Sequence, residues 1–447
     1  VLNAYKWAFD NPMGTGSWFD VQNWVINGLP GNPLTDQPPG KNDDVTIDGT
    51  YAAGTCEISG PATLVQCASL KLINGPPGGV GSGLLIQDGA ELDILGSAVD
   101  SAMTAGQAIG LNGTGSLHVI GGNFDWYGGT FQGSGTLVVG GSESADASAT
   151  LLVTQQAQKL SVNLVIGSNS QNDPGTVIIQ NLNRDLTLAD HTGIQVGKYG
   201  TLTFAQTSGN IVCGTGATDV NSVISNGGTI NFDTSAAITC DLPRATSGNV
   251  NVLQGTLEFT NGAKGSGFSI SQTGGSLSIS AGATLKADAN TNINGGTLNT
   301  VGSGTAYLKG NLTVQGGGIQ ICLNGGGGFG TLFVYGQVSL IGNTLLIVSV
   351  DGSGTDDCDQ LIATGTITLG GSSELEVSTL VNDTPPASAV FDVLFSSTGF
   401  SGDFATKTYL QASYTTAIVP DAVAGFDYEL TPAGGGGGGL GAGAGNS

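Results

Sequence analysis

The stretch Gly83-Leu-Leu-Ile-Gln-Asp-Gly-Ala-Glu-Leu-Asp-Ile-Leu-Gly96 is two short apolar runs separated by an Asp-Gly turn. The same device recurs at Gly115-Ser-Leu-His-Val119, Gly135-Thr-Leu-Val-Val139, Gly228-Thr-Ile-Asn-Phe232, Gly255-Thr-Leu-Glu-Phe259, Gly275-Ser-Leu-Ser-Ile279 and Gly330-Thr-Leu-Phe-Val334. A looser copy starts at Gly296, with Thr300 at the second apolar position. The shared word is Gly, then Ser or Thr, then Leu or Ile, then any residue, then an apolar one. Its two apolar residues stand two apart, so both point to one face of a strand while their neighbours point to the other. Glycine is expected where a turn needs positive φ. Units spaced by roughly 20 residues, none able to bury its own apolar face, mark a solenoid. The expected fold is all-β: a right-handed parallel β-helix with an aromatic-rich N-terminal cap.

Composition narrows the class further. Glycine makes up 77 of 447 residues without a three-residue period, which excludes collagen. A hydrophobic share of 39% excludes a disordered chain. No long stretch shows apolar spacing at three, four and seven, so very little helix is expected. Lys plus Arg number 11 against 34 Asp plus Glu, for a net charge of -23. Such a chain has no basic patch to replace phosphate counterions, so nucleic acid is not an expected partner. No run of apolar residues is long enough for a membrane span. The chain starts at Val1, as a chain freed of its signal peptide does, and as a truncated one does.

Six cysteines stand at Cys56, Cys67, Cys213, Cys240, Cys322 and Cys358, with no C-x-x-C pair. Both histidines, His118 and His191, are far from them in sequence, so zinc is not expected. An even count in a Gly-, Thr- and Ser-rich chain points to secretion and disulfides. The expected pairs are sequence neighbours: Cys56 with Cys67, Cys213 with Cys240, and Cys322 with Cys358. The alternative is six buried free thiols.

Four regions follow along the chain. Residues 1–42 hold Trp7, Trp18 and Trp24, with Tyr5, Phe9 and Phe19, and then Pro30, Pro33, Pro38 and Pro39. Aromatic area of this kind suits a cap over an open first rung; carbohydrate stacking is the sharper alternative. Residues 43–388 are the solenoid, with 98–110 and 142–149 expected as loops leaving the stack. Residues 389–432 are aromatic closing rungs. Residues 433–447 are a glycine-rich tail, a candidate inter-subunit contact.

The stretch Gly16-Ser-Trp18-Phe-Asp-Val-Gln-Asn23-Trp24, followed by Gly28, Pro39 and Asp43-Asp-Val-Thr-Ile-Asp-Gly49, resembles the N-terminal motif of secreted bacterial glycine-rich β-solenoid surface proteins. These are similar to autotransporter passenger domains. Their pattern is a Trp, an Asn-Trp pair, a Pro and then Asp-x-Val-x-Ile; here Asp43 or Asp44 is the acidic member. The segment from Val390-Phe-Asp-Val-Leu-Phe395 to Tyr414-Thr-Thr-Ala-Ile-Val419 resembles their closing rungs. The resemblance implies a fold and an extracellular, cell-surface location, and carries no catalytic residue.

Chemistry is sparse. The 11 cations are scattered in no common register, and the sequence shows no Ser-His-Asp grouping and no His beside an Asp cluster. No catalytic residue and no cofactor is expected. The one carboxylate cluster contains Asp351, Asp356, Asp357 and Asp359, weak Ca2+ candidates that fail the EF-hand pattern because Ile362 replaces the bidentate Glu. The function expected is therefore non-enzymatic: an extracellular structural protein, a filament or sheath subunit assembled head to tail with itself as partner. The residues expected to assemble it are Val1, Leu2, Tyr5, Phe426, Tyr428, Leu430 and Leu440. The alternatives are a monomeric adhesin with glycan partners and, third, a polysaccharide-degrading β-helix enzyme.

Overall fold

The computed structural model describes residues 3–8, 15–49, 54–60, 62–73, 83–96, 101–104, 107–140, 149–154, 159–168, 174–180, 186–188, 193–205, 211–213, 223–240, 245–246, 249–259, 269–323, 328–351, 357–379, 385–421 and 424–433. Within these, side chains are not described at 159, 186–188, 211–213, 223–225, 234–240, 245–246, 249, 252–259, 269–271 and 287–289. The chain divides into two units, Val1–Gly296 and Thr297–Ser447. Each is a parallel β-solenoid. The only helix among the described residues is the 3-10 turn Val21–Asn23, and no helix is long and apolar enough to cross a membrane.

In the first unit three ladders of parallel strands make three faces. The first ladder runs through Asp44–Asp48, Ser69–Ile73, Ser101–Met103, Gly122–Trp126 and Ala149–Thr154. The second runs through Thr55–Ile58, Gly83–Ile86, Ala108–Leu111 and Thr130–Gly133. The third runs through Thr63–Cys67, Ala90–Ile94, Ser116–Val119, Thr136–Val139 and Asn163–Ile166. Further on, the long strand Thr229–Cys240 pairs with Asn249–Phe259 over its two ends, with register shifts between Phe232 and Ala237. The second unit repeats the plan, for example Thr297–Val301, Gly318–Leu323, Leu345–Val350 and Glu374–Thr379 on one face.

The period-2 pattern works as the sequence implies. In Ser116–Val119, Leu117 and Val119 are fully buried while Ser116 and His118 face outward. Parallel register then puts like on like: Val65, Leu92, Leu117, Leu137, Leu164 and Ile194 form one inward column. Its steps run from 20 to 30 residues, so a rung is generally longer and less even than the word spacing implies. Much of the surplus is turn. Residues 98–110 also depart from expectation, since they contribute two stacked strands, Ser101–Met103 and Ala108–Leu111. Their Ala, Gly and Ser content gives weak strand propensity, and pairing with rungs above and below overrides it.

Glycine takes the expected positive φ where runs end, at Gly89, Gly96, Gly122 and Gly140, and at the word heads Gly275 and Gly296, but other heads have a different cause. Gly115, Gly135 and Gly228 do not have positive φ. A Cβ on Gly135 would sit 2.1 Å from the Gly115 carbonyl oxygen, and one on Gly228 would sit 2.1 Å from that of Gly197. The requirement is close approach of one rung's backbone to the next at the corner, which only a residue without Cβ permits. Outward polar side chains also bond from rung to rung: Gln87 donates to Glu57 at 3.1 Å and Asn112 donates to Gln87 at 3.0 Å.

The N-terminal end of the first unit is closed by its own chain. Ala4–Trp7 pairs parallel with Asp44–Asp48 and antiparallel with Trp24–Ile26, which pairs in turn with Leu29–Pro30. Trp7, Trp18 and Trp24 are fully buried, with Trp24 edge-on to Trp7 at 4.9 Å and to Trp18 at 5.1 Å. Each indole N–H donates to a carbonyl: Trp7 to Gly54, Trp18 to Pro39 and Trp24 to Trp18. A buried indole needs such a partner, and these rings are core rather than sugar-stacking platforms.

The C-terminal end of the second unit is closed similarly. Phe426–Pro432 runs antiparallel to Phe391–Ser396, and Tyr414–Pro420 runs antiparallel to Phe426–Pro432. In the last rung Lys407 stands opposite the inward Leu375. Its ammonium donates to Asp403 at 2.6 Å and to Thr416 at 3.0 Å, while Tyr428 donates to Asp403 at 2.6 Å. A polar network at this point ends the apolar stack with its donors satisfied.

The cysteine pairing is corrected by the structure. Cys56, Cys67, Cys322 and Cys358 are free thiols; the side chains of Cys213 and Cys240 lie outside those described. Cys56 is on the second ladder between Gly16 and Leu84, whereas Cys67 is on the third beside Ile94. Cys56 and Cys67 thus occupy different faces of a rung, and a disulfide needs Cα atoms about 4.4–6.8 Å apart with converging Cβ vectors. Cys322 instead donates its thiol to the Gly328 carbonyl at 3.0 Å, and Cys358 is buried near the Asp392 carbonyl. Burial raises the thiols of Cys56 and Cys67 well above their ordinary value, keeping them protonated and inert.

Of the repeated words' leucines, Leu137, Leu277 and Leu332 are buried, while the side chain of Leu257 lies outside those described. Leu137→Ala should cost about 2–5 kcal/mol of unfolding free energy, through lost transfer energy plus a cavity. Denaturant titration followed by circular dichroism measures this. A loss below about 1 kcal/mol would show that the inward column is not tightly packed.

Candidate functional site

A solenoid exposes side chains in rows, because outward positions stack in the same register as inward ones. On the third ladder Gln66, Asp93 and His118 stand opposite one another on successive rungs, and Leu64, Glu91 and Ser116 form the neighbouring row. The strand alternation that buries Leu92 and Leu117 turns Glu91 and His118 outward. Asp93 is almost fully covered, with its side chain 3% exposed.

These rows bring three donor groups together. His118 Nδ1 lies 3.3 Å from Glu91 Oε1 and 3.5 Å from Asp93 Oδ1. Gln66 Nε2 donates to the other oxygen of Asp93 at 3.2 Å. Among the described residues this is the one group of His, Cys, Asp and Glu whose donor atoms all lie within 4.8 Å of one another. Burial lowers the His118 pKa, against the opposing pull of Glu91. Burial therefore favours the neutral imidazole, the form that binds a metal or accepts a proton.

Beside it, toward the N-terminal cap, lies an open pocket of about 310 Å3 lined by Phe19, Pro39, Gly40, Lys41, Leu64, Val65 and Gln66. Phe19 and Leu64 are 46% and 53% exposed, so apolar area meets solvent there. Leu64 and Gln66 are opposite Glu91 and Asp93 one rung on, so pocket and donor cluster share one face.

The residues singled out in the sequence are distributed differently. Asp359 is buried, its two carboxylate oxygens accepting the Gly330 and Ser349 amides at 2.8 Å each. Asp351 donates its amide to the Asp357 carbonyl, and Asp356 lies outside the described residues. Asp351, Asp357 and Asp359 do not converge as a donor group. Among the assembly candidates, Tyr5, Tyr428 and Leu430 are buried within their own chain and Phe426 is 37% exposed. Val1, Leu2 and Leu440 lie outside the described residues. The Glu91–Asp93–His118 group was missed in the sequence because its members are about one rung apart; superposing Glu91-Leu-Asp-Ile94 on Ser116-Leu-His-Val119 aligns Asp93 with His118.

Comparison with known protein families and with curated proteins finds no match for this chain. The ladders of parallel strands support the N-terminal resemblance at the level of the β-solenoid fold alone.

Asp359 carries a pH signature. Burial pushes its carboxyl up from 3.8 to about 6, against the lowering effect of the amides of Gly330 and Ser349. A carboxyl raised in the folded state favours folding fully below its unfolded value, and that contribution is lost as pH rises through the folded value. The melting temperature should therefore carry a component that falls between about pH 4 and pH 6. Asp359→Asn, which cannot ionise, should lose that component. Identical pH profiles for the two proteins by differential scanning calorimetry would remove Asp359 as its source.

Proposed function

We propose that the chain is an extracellular structural protein, a self-capped β-solenoid scaffold of a cell surface that acts through its outward faces. The observation that carries this reading is the closure of terminal rungs by the chain's own antiparallel strands: Trp24–Ile26 on Ala4–Trp7, and Phe426–Pro432 on Phe391–Ser396. Closure of that kind uses the backbone groups through which another copy would extend the ladder. The location rests on the low Lys and Arg content and on the N-terminal resemblance, since the thiols of Cys56, Cys67, Cys322 and Cys358 are free. Net charge of -23 supports solubility and mutual repulsion of such scaffolds. Catalysis forms no part of the proposal.

Head-to-tail assembly into a filament is the second reading, favoured by one observation. Tyr414–Pro420 is an outermost strand that pairs with Phe426–Pro432 on one side only, among the described residues. Its Ala417, Ile418 and Pro420 are exposed. An unprotected edge with apolar side chains is a template for strand addition.

Light scattering of the purified protein should give the 44.4 kDa monomer, and electron microscopy should show discrete particles. Filaments that Ile418→Lys abolishes would replace the capped-scaffold reading with edge-mediated assembly. Filaments that survive Ile418→Lys would count against both.

A further inference from the structure

We propose that Glu91, Asp93 and His118 form a binding site for a zinc-class divalent cation on the outer face of the third ladder. This goes beyond the scaffold reading and does not depend on it.

Two bonds of about 2.0–2.1 Å meeting at a tetrahedral angle place their ligand atoms about 3.3–3.4 Å apart. The His118 Nδ1 separations, 3.3 Å to Glu91 and 3.5 Å to Asp93, match that edge before any ion is present. One imidazole nitrogen and two carboxylate oxygens suit a first-row cation of borderline softness. Calcium is disfavoured, since it takes six to eight oxygen ligands and prefers no imidazole.

Preorganisation supports the same conclusion. Asp93 and His118 are paired strand neighbours, Glu91 is two residues before Asp93, and the apolar column through Leu92 and Leu117 fixes both strands from beneath. Gln66 donates to the second oxygen of Asp93 and so orients the carboxylate, as outer hydrogen bonds do for metal ligands. Glu91 is 38% exposed, which leaves a route for the ion and a coordination position for water. The pocket lined by Phe19, Lys41 and Leu64 lies one rung away on the same face.

The test is titration of the full chain with Zn2+ by calorimetry and with Co2+ by visible absorption, followed by X-ray absorption of the zinc-loaded protein. Expected are one ion per chain, the intense d–d bands of a low-coordinate cobalt centre, and a nitrogen and oxygen shell without sulfur. Removing an outer hydrogen-bond partner of a metal ligand typically costs about 10–100-fold in affinity, so losing a ligand should cost at least that much. His118→Gln, Glu91→Gln and Asp93→Asn should each show it, with circular dichroism unchanged. His191→Gln and Asp125→Asn should leave affinity unaltered. The proposal is overturned if the folded wild-type chain binds no stoichiometric ion, if His118→Gln binds as tightly as wild type, or if sulfur appears in the shell. Should Asp93→Asn fail to fold, the outward Glu91→Gln and His118→Gln variants decide the outcome.

Discussion

The structure depends on the register of parallel strands between successive rungs. A rung by itself buries almost nothing; its apolar residues become core only when the next rung places apolar residues directly over them. Leu92, Leu117 and Leu137 are fully buried for this reason, each opposite the next in a hydrogen-bonded ladder. Shifting one strand by a single residue would exchange its inward and outward sets, so the apolar pattern and the ladder enforce each other. Corner glycines belong to the same constraint. At Gly135 and Gly228 the neighbouring rung's carbonyl occupies the space a Cβ would need, so rung spacing is set partly by what the sequence leaves out.

A stack of this kind must stop. Its last strands otherwise offer unpaired amides and carbonyls and an open end of apolar core. The two termini meet this requirement with different chemistry. At the N-terminal end three tryptophans seal the core and send each indole N–H to a backbone carbonyl. At the C-terminal end Lys407 takes an inward position and is held by Asp403 and Thr416 under an antiparallel pair of strands. The carboxyl of Asp403 is subject to burial, which would raise it, but the hydrogen bonds from Lys407 and Tyr428 bring it below its ordinary range.

Register also governs chemistry on the outside. Residues far apart in the chain become neighbours whenever they hold the same position in successive rungs, so a solenoid composes sites from rows. Glu91, Asp93 and His118 meet in this way, and the open pocket beside them uses Leu64 and Gln66 from the preceding rung. Nothing in the local sequence of any one strand announces the group, because each strand supplies only one or two donors.

The class of fold is legible in the repeated word, whose apolar residues are two apart and whose repeats cannot bury their apolar face alone. The sequence also showed that Trp7, Trp18 and Trp24 belong together at one end. It did not determine rung length, because turns of variable length intervene between words; nor did it show that 101–103 and 108–111 are strands, because their propensity is weak and only pairing makes them so. Proximity along the chain does not give cysteine contact for a related reason: Cys56 and Cys67 lie on different faces of a rung. The donor cluster was legible only in part, since alignment of two repeat words pairs Asp93 with His118, while the distances among them and the near-complete burial of Asp93 follow from the stack. Tertiary structure decided these matters because contact in a solenoid runs across rungs, and the chain fixes only the order of residues within each one.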